Sequence, residues 1–126
     1  MSGRSPKGII TFSRLTGDIA AGVGEAVPSD DPVDQEGAFY VEALEFIAIA
    51  TECLGHTSCT IQLWGAFEDD GKWYKINGGN FTGVSSFVDE ISCACLRYLY
   101  VQIEDTVGGV TSAFTINGRG VQRASR

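Results

Sequence analysis

The sequence predicts an all-β fold: a single antiparallel β-sandwich, jelly-roll-like, with extended basic termini. Three observations predict it. Sixteen glycines against three prolines in 126 residues supply turns for many short strands rather than a few long helices. Several segments alternate apolar and polar residues with the two-residue period of a strand, and turn signals separate them every eight to twelve residues or so. A hydrophobic fraction of 44% and a mean hydropathy of +0.05 in 13.5 kDa are those of one folded domain with one core.

Taken in order, residues 8–12 read as a first short strand, with Ile9, Ile10 and Phe12 giving β-branched and aromatic character. Residues 22–37 hold two prolines, three glycines and five acids, the composition of a surface loop. Asp30, Asp31, Asp34 and Glu36 within it match no calcium-loop spacing. Residues 38–52 have the Ala, Leu and Glu content of a helix. Their second half, however, is apolar at nearly every position, as in a strand buried on both faces, and strand is the better reading. In residues 57–77, Thr60, Gln62, Trp64 and Ala66 alternate with Ile61, Leu63, Gly65 and Phe67. The turn Glu68-Asp69-Asp70-Gly71 then leads to a return strand over 72–76 that ends at the turn pair Asn77-Gly78. Residues 87–91 make a further short strand. The longest candidate is 93–106, with Cys95, Arg97, Leu99, Val101 and Ile103 on one face and Leu96, Tyr98, Tyr100, Gln102 and Glu104 on the other. Val107-Gly108-Gly109-Val110 reads as a hairpin turn into a return strand over 111–117.

Charge divides the chain differently. The net charge is −7, yet Arg4, Lys7 and Arg14 stand near the start and Arg119, Arg123 and Arg126 near the end. Residues 15–118 carry all sixteen acids against three bases, a net of −13 between ends that together hold +6. This implies an N-terminal arm over 1–14 that includes the first strand, a sandwich over 15–118, and a basic tail over 119–126. The arms suit docking on acidic neighbours, including copies of the same chain in a closed oligomer, expected as a homotrimer. An acidic body has the wrong sign for nucleic acid. No apolar run approaches the roughly 18 residues of a membrane helix. The basic start is followed by no apolar leader segment, so synthesis in a reducing cytosol is expected.

In that compartment Cys53, Cys59, Cys93 and Cys95 are expected as free thiols. Their C-x5-C and C-x-C spacings, even with His56 beside them, do not form a usual zinc knuckle, and no metal or other cofactor is expected. His56 stands without a nucleophile elbow or a Cys-His-Asn set. Gly78-Gly79 and Gly108-Gly109 precede no phosphate-binding helix, and nothing singles out a carboxylate pair among the acids. No catalytic residue is therefore assigned. Aromatics give the better opening. Trp64, Trp73, Tyr74, Tyr98 and Tyr100 include side chains on the polar sides of their strands, where they anchor partners or stack on sugars when exposed.

Two segments carry a resemblance. Residues 60–74 (TIQLWGAFEDDGKWY) resemble the strand-turn-strand of many virion proteins, and residues 96–103 (LRYLYVQI) are similar to the Arg-Tyr strand that follows it in them. The chain thus resembles small β-sandwich structural proteins of tailed bacteriophages over about residues 57–117. The resemblance implies a non-enzymatic, repeated particle component, made in the host cytoplasm and housed in the virion. Head decoration (cement), adaptor and tail proteins all fit, with the major capsid protein or other virion proteins as partners. The alternative is a carbohydrate-binding β-sandwich of the receptor-binding or adhesin type, since sugar-binding discoidin-like domains show a similar Arg-Tyr strand. Thiol titration of the denatured protein without reductant is expected to find four free groups; fewer groups, or stoichiometric zinc, would contradict the cysteine assignment.

Overall fold

The computed structural model describes residues 8–29, 31–93 and 95–122. Eight strands form: β1 (Ile9–Leu15), β2 (Phe39–Tyr40), β3 (Leu44–Glu52), β4 (Ser58–Ala66), β5 (Tyr74–Val84), β6 (Ser86–Ser92), β7 (Tyr98–Val107) and β8 (Thr115–Gln122). They make two four-stranded sheets, β1-β8-β3-β6 and β2-β7-β4-β5, and every pairing is antiparallel. The all-β sandwich predicted from the sequence is the fold found.

Residues 38–52 are strand, but two strands rather than one. Between β2 and β3 the chain changes sheets at residues 41–43, where the Val41 amide donates to the Arg97 carbonyl (2.8 Å) and the Leu44 amide to the Val41 carbonyl (2.9 Å). Leu44, Ile47, Ile49 and Thr51 then point into the core, while Phe46, Ala48 and Ala50 point out. From β4, Cys59, Ile61 and Leu63 meet them; from β7, Leu99, Val101 and Ile103; from the last segment, Phe114 and Ile116. Burial of each such side chain stabilises by about 1.5–3 kcal/mol.

Of the seven links between strands, only β4–β5 stays within a sheet; the other six cross the sandwich. The Glu68-Asp69-Asp70-Gly71 hairpin is therefore as the sequence implies, but Val107-Gly108-Gly109-Val110 is not a hairpin. It carries the chain from β7 to β8 in the opposite sheet, passing close over residues 55–56. There the Val110 amide donates to the Gly55 carbonyl (2.7 Å) and Gly108 O lies 3.1 Å from His56 Nδ1. A two-residue apolar period says that a strand follows, but not in which sheet.

Three boundaries also move. Asn77-Gly78 lies inside β5, not at its end. Gln62 pairs with Asn80 and Trp64 with Lys75, so Leu63 alone spans the four residues 76–79 in a bulge. Gly78 has φ +76° there, a requirement that turns and bulges share. The first strand runs on to Leu15. The last continues to Gln122, so residues 9–14 and 119–122 belong to a sheet rather than to arms. The Gly-Arg-Gly of the supposed tail faces the core at both glycines. A Cβ on Gly118 would stand 3.0 Å from Ile47 Cδ1, and one on Gly120 2.4 Å from Leu44 Cδ1.

Gly22 and Gly109 have nearly the same left-handed φ, +82° and +78°, in different surroundings. A Cβ on Gly22 meets nothing within 4 Å, whereas one on Gly109 would stand 2.2 Å from Gly55 O. Gly22→Ala should thus cost only the backbone strain, about 1–2 kcal/mol. Gly109→Ala should cost at least about twice that, because two backbones must separate. Urea denaturation of the two variants makes the comparison; equal losses would contradict the close approach.

Candidate functional site

The long connection after β1 decides which surfaces remain available. Its residues 22–25 lie along the edge of β7, with Gly22 N–H donating to Thr106 O (3.0 Å) and Glu25 N–H to Ile103 O (2.7 Å). Gly24 permits this, since a Cβ there would stand 2.0 Å from the Glu104 carbonyl oxygen. Glu25 then turns inward. Arg14 Nη1 donates to its Oε2 (2.9 Å) and Arg14 Nη2 to its Oε1 (3.2 Å), while the Ile103 amide donates to Oε1 (2.9 Å). Arg14 Nη2 also donates to the Val101 carbonyl. The Arg14 guanidinium lies 4.7 Å from the centroid of the Tyr100 ring. The two charged side chains are only 10% and 16% exposed. Burial raises the Tyr100 phenol above the ordinary tyrosine range, the Arg14 charge pulling the other way. Arg14, grouped on sequence with the basic arm, is thus an internal tie between the two sheets.

Under this connection lies a second small core, on the outer face of sheet β2-β7-β4-β5. It comprises Ala66, Trp73, Tyr98 and Tyr100, with Ala38 and Trp64 partly buried against it. The Trp73 and Tyr100 rings are 6.0 Å apart. Trp64 Nε1 donates to Gln102 Oε1 (2.7 Å), and Gln102 Nε2 donates in turn to the Glu25 carbonyl (2.9 Å). Tyr98 O–H donates to Asp69 Oδ1 (2.9 Å). That bond, followed by the neighbouring Arg97, lowers the Asp69 carboxyl below the usual carboxylate range. The structure therefore brings Trp64, Trp73, Tyr98 and Tyr100 together, but inside; Tyr74 stays outside, 54% exposed, with its ring 5.8 Å from that of the exposed Phe67. Of the clustered four, only Trp64 keeps a half-exposed face, bordering a groove of about 300 Å³ with Val27, Pro28, Ser29, Lys72 and Trp73.

The outer face of the other sheet has no such cover among the described residues. Its registered rows read Ile9–Val121–Phe46–Ser92, Thr11–Arg119–Ala48–Glu90, Ser13–Asn117–Ala50–Val88 and Leu15–Thr115–Glu52–Ser86. Phe46, Val88 and Val121 are 41%, 75% and 42% exposed. Arg119 stands exposed in the middle of this face, with β3 between it and the row's acid, Glu90. Arg4, Lys7, Arg123 and Arg126 lie outside the described residues. Phe46 went unnoticed in the sequence because an apolar run reads as covered on both faces; Val88, in a short strand, and Val121, in the supposed tail, stand in no amphipathic pattern that would mark them.

The thiol and imidazole groups are turned inward. The His56 ring stacks on Phe114 at 5.4 Å, and Cys53 Sγ lies 3.3 Å from the His56 carbonyl oxygen. Burial, with Cys53 adding to it, pushes the Cys59 thiol up to about 12. A neutral buried thiol is a poor nucleophile. All four cysteines are unbridged, with Cys95 alone exposed. Among the described residues no group of three His, Cys, Asp or Glu side chains is placed to hold a metal, and no helix is long and apolar enough to cross a membrane.

No protein-family profile and no curated protein matches the chain. Solved structures do. The SPBc2 prophage-derived protein YomS superposes with a TM-score of 0.51 at 16% identity, over 90% of this chain and 97% of that one. Two structures of Tobacco streak virus coat protein give TM-scores of 0.36 and 0.34 at 10% identity, over 99% of this chain and 94% of theirs. The YomS likeness concerns the fold alone, and the coat-protein superpositions are too loose to carry an argument.

Removing Glu25 while Arg14 stays would leave a buried guanidinium unpaired and the Ile103 amide without its acceptor. Glu25→Ala should therefore lower stability by about 3–5 kcal/mol. Glu25→Gln, which keeps an acceptor for that amide, should lose less. Denaturant titration reads both; a Glu25→Ala loss within the range of an exposed ion pair would show the pair to be dispensable.

Proposed function

We propose that this chain is a non-enzymatic structural protein of a tailed-phage particle, and within that class a capsid decoration (cement) protein that binds and stabilises the head. The observation that carries the reading is the inequality of the two sheet faces. One is largely covered by the chain's own connection and aromatics, with Tyr40 left exposed at its β2 edge. The other shows Phe46, Val88 and Val121 and the small Ala48, Ala50 and Ser13 around Arg119, with Glu52 and Glu90 towards its rim, an apolar patch with a charged border of the kind that another protein covers. The order of the strands supports the same reading: β1-β8-β3-β6 opposed to β2-β7-β4-β5 is a jelly roll, an arrangement common to viral capsid and lectin domains. So does the likeness to a prophage-derived protein. A fold by itself does not assign a role; the bare face adds the chemistry.

The major capsid protein or another virion protein is the proposed partner of that face, and copies of this chain are a further one. Arg119 on the face, with Arg4, Lys7, Arg123 and Arg126 near the ends, would add contacts to acidic neighbours. Each exposed contact is worth only about 0.2–1 kcal/mol, but they become avid when repeated in an oligomer. The carbohydrate-binding alternative loses most of its platform, since Trp73, Tyr98 and Tyr100 are buried. Its remaining support is the groove beside Trp64 and the exposed pair Phe67 and Tyr74 next to the Glu68-Asp69-Asp70-Gly71 turn.

In purified particles of the phage that encodes it, the protein should be present in a fixed ratio to the major capsid protein by quantitative mass spectrometry. Co-sedimentation with particles stripped of it should weaken with salt without vanishing. Val88→Asp and Phe46→Asp should abolish that binding while leaving the fold intact by circular dichroism. Absence from the particle, or binding unaffected by both substitutions, would sink the proposal. Binding to an immobilised glycan that Trp64→Ala removes would move the alternative ahead.

A further inference from the structure

The two sheets have four outer edges, and an unpaired edge invites another strand unless something blunts it. Three are blunted. The β2 edge is two residues long, and beyond it residues 22–25 lie along β7. The β5 edge is broken by the bulge at 76–79 and carries Gly78, Gly79 and Gly83. The β6 edge carries Asp89 and Glu90. Among the described residues the β1 edge has none of these devices. Its seven residues hold neither proline nor glycine, their register with β8 is unbroken from Ile9↔Val121 to Leu15↔Thr115, and their one charge, Arg14, is turned inward to Glu25.

The hydrogen bonds at its two ends fix which backbone groups are free. Gln122 N–H donates to Gly8 O (2.7 Å) and Thr16 N–H to Phe114 O (3.0 Å). In an antiparallel ladder both groups of a residue face the same neighbour, and successive residues alternate. Gly8, Ile10, Phe12, Arg14 and Thr16 therefore face β8, while Ile9, Thr11, Ser13 and Leu15 turn their N–H and C=O groups away from it. No other hydrogen bond among the described residues uses those outward groups. The same four residues carry the side chains on the uncovered face: Thr11 and Ser13 are exposed, and Leu15 is 70% exposed.

From this we infer that β1 pairs with β1 of a second copy across a two-fold axis at Phe12, joining two four-stranded sheets into one continuous sheet of eight. The strand is complementary to itself in that register. Ile9 meets Leu15 of the second copy, apolar against apolar, and Thr11 meets Ser13, hydroxyl against hydroxyl. Each of these four pairs exchanges two backbone bonds, so all the outward groups of both strands find partners. A slip of one residue would set these groups against ones already bonded to β8, and a slip of two would strand either Ile9 or Leu15. A strand that pairs with itself closes after two copies. The unit is then a two-fold pair, not the trimer implied by charge alone. The pairing concerns contact between copies and does not depend on which particle the chain joins.

The test uses the full chain. Sedimentation velocity over a concentration series should show a monomer–dimer equilibrium. Thr11→Pro removes one outward N–H without touching a bond to β8, and an edge strand tolerates proline at such a position. It should remain folded by circular dichroism and lose the dimer. Hydrogen exchange on the unsubstituted protein gives a reading that does not depend on that variant folding. Protection of the Thr11, Ser13 and Leu15 amides should rise with protein concentration, while the Phe12 and Arg14 amides are protected throughout. A monomer at every concentration, a trimer, a dimer retained in folded Thr11→Pro, or fast exchange at Thr11, Ser13 and Leu15 in the oligomer would each overturn the inference. A monomer that still binds the particle would overturn the pairing and leave the proposed function standing.

Discussion

The buried pair of Arg14 and Glu25 is the constraint on which the rest of the structure depends. It joins β1 of one sheet to the β7 edge of the other at a side of the sandwich where no hairpin connects them. Neither charge tolerates burial alone. The guanidinium therefore requires Glu25, and Glu25 requires the connection to lie along β7, which in turn requires glycine at position 24. Gly37 belongs to the same arrangement, since a Cβ there would stand 2.1 Å from Arg14 Cδ. Interior close-packing then leaves the connection one course across the aromatic layer.

That course makes the two faces of the molecule unequal. With the connection laid across the aromatic layer, the β2-β7-β4-β5 sheet has hydrophobic side chains on both faces, and most of them are covered, Tyr40 excepted. Among the described residues the β1-β8-β3-β6 sheet has no comparable segment on its outer side, and the small residues Ala48, Ala50 and Ser13 lie on that face. The inward turn of Arg14 also removes the one charge that would blunt the β1 edge. A single ion pair thus holds the cover on one face and turns inward the one charge of the β1 edge.

Much of this was legible in the residues, and the limits have identifiable causes. Alternation located the strands of residues 57–76 and most of β7, and the Glu68-Asp69-Asp70-Gly71 turn located the hairpin, because period and turn chemistry are local properties. The same signals failed where the chain changes sheets. The glycines at 108 and 109 serve a crossing as well as a hairpin, and Asn77-Gly78 serves a bulge as well as a turn. The Gly118-Arg119-Gly120 segment looked like a tail because its inward positions have no side chain to display a period.

By itself, then, the sequence determined an all-β sandwich, the position of most strands and the acidity of the body. All of these follow from composition, short-range spacing and local backbone preference. Only the tertiary structure decided that Arg14 is internal, that Trp73, Tyr98 and Tyr100 form a second core, and that Phe46, Val88 and Val121 are uncovered. Each of those outcomes depends on which segment lies over which sheet. Long-range packing of a 23-residue connection sets that (residues 16–38), and no local pattern encodes it.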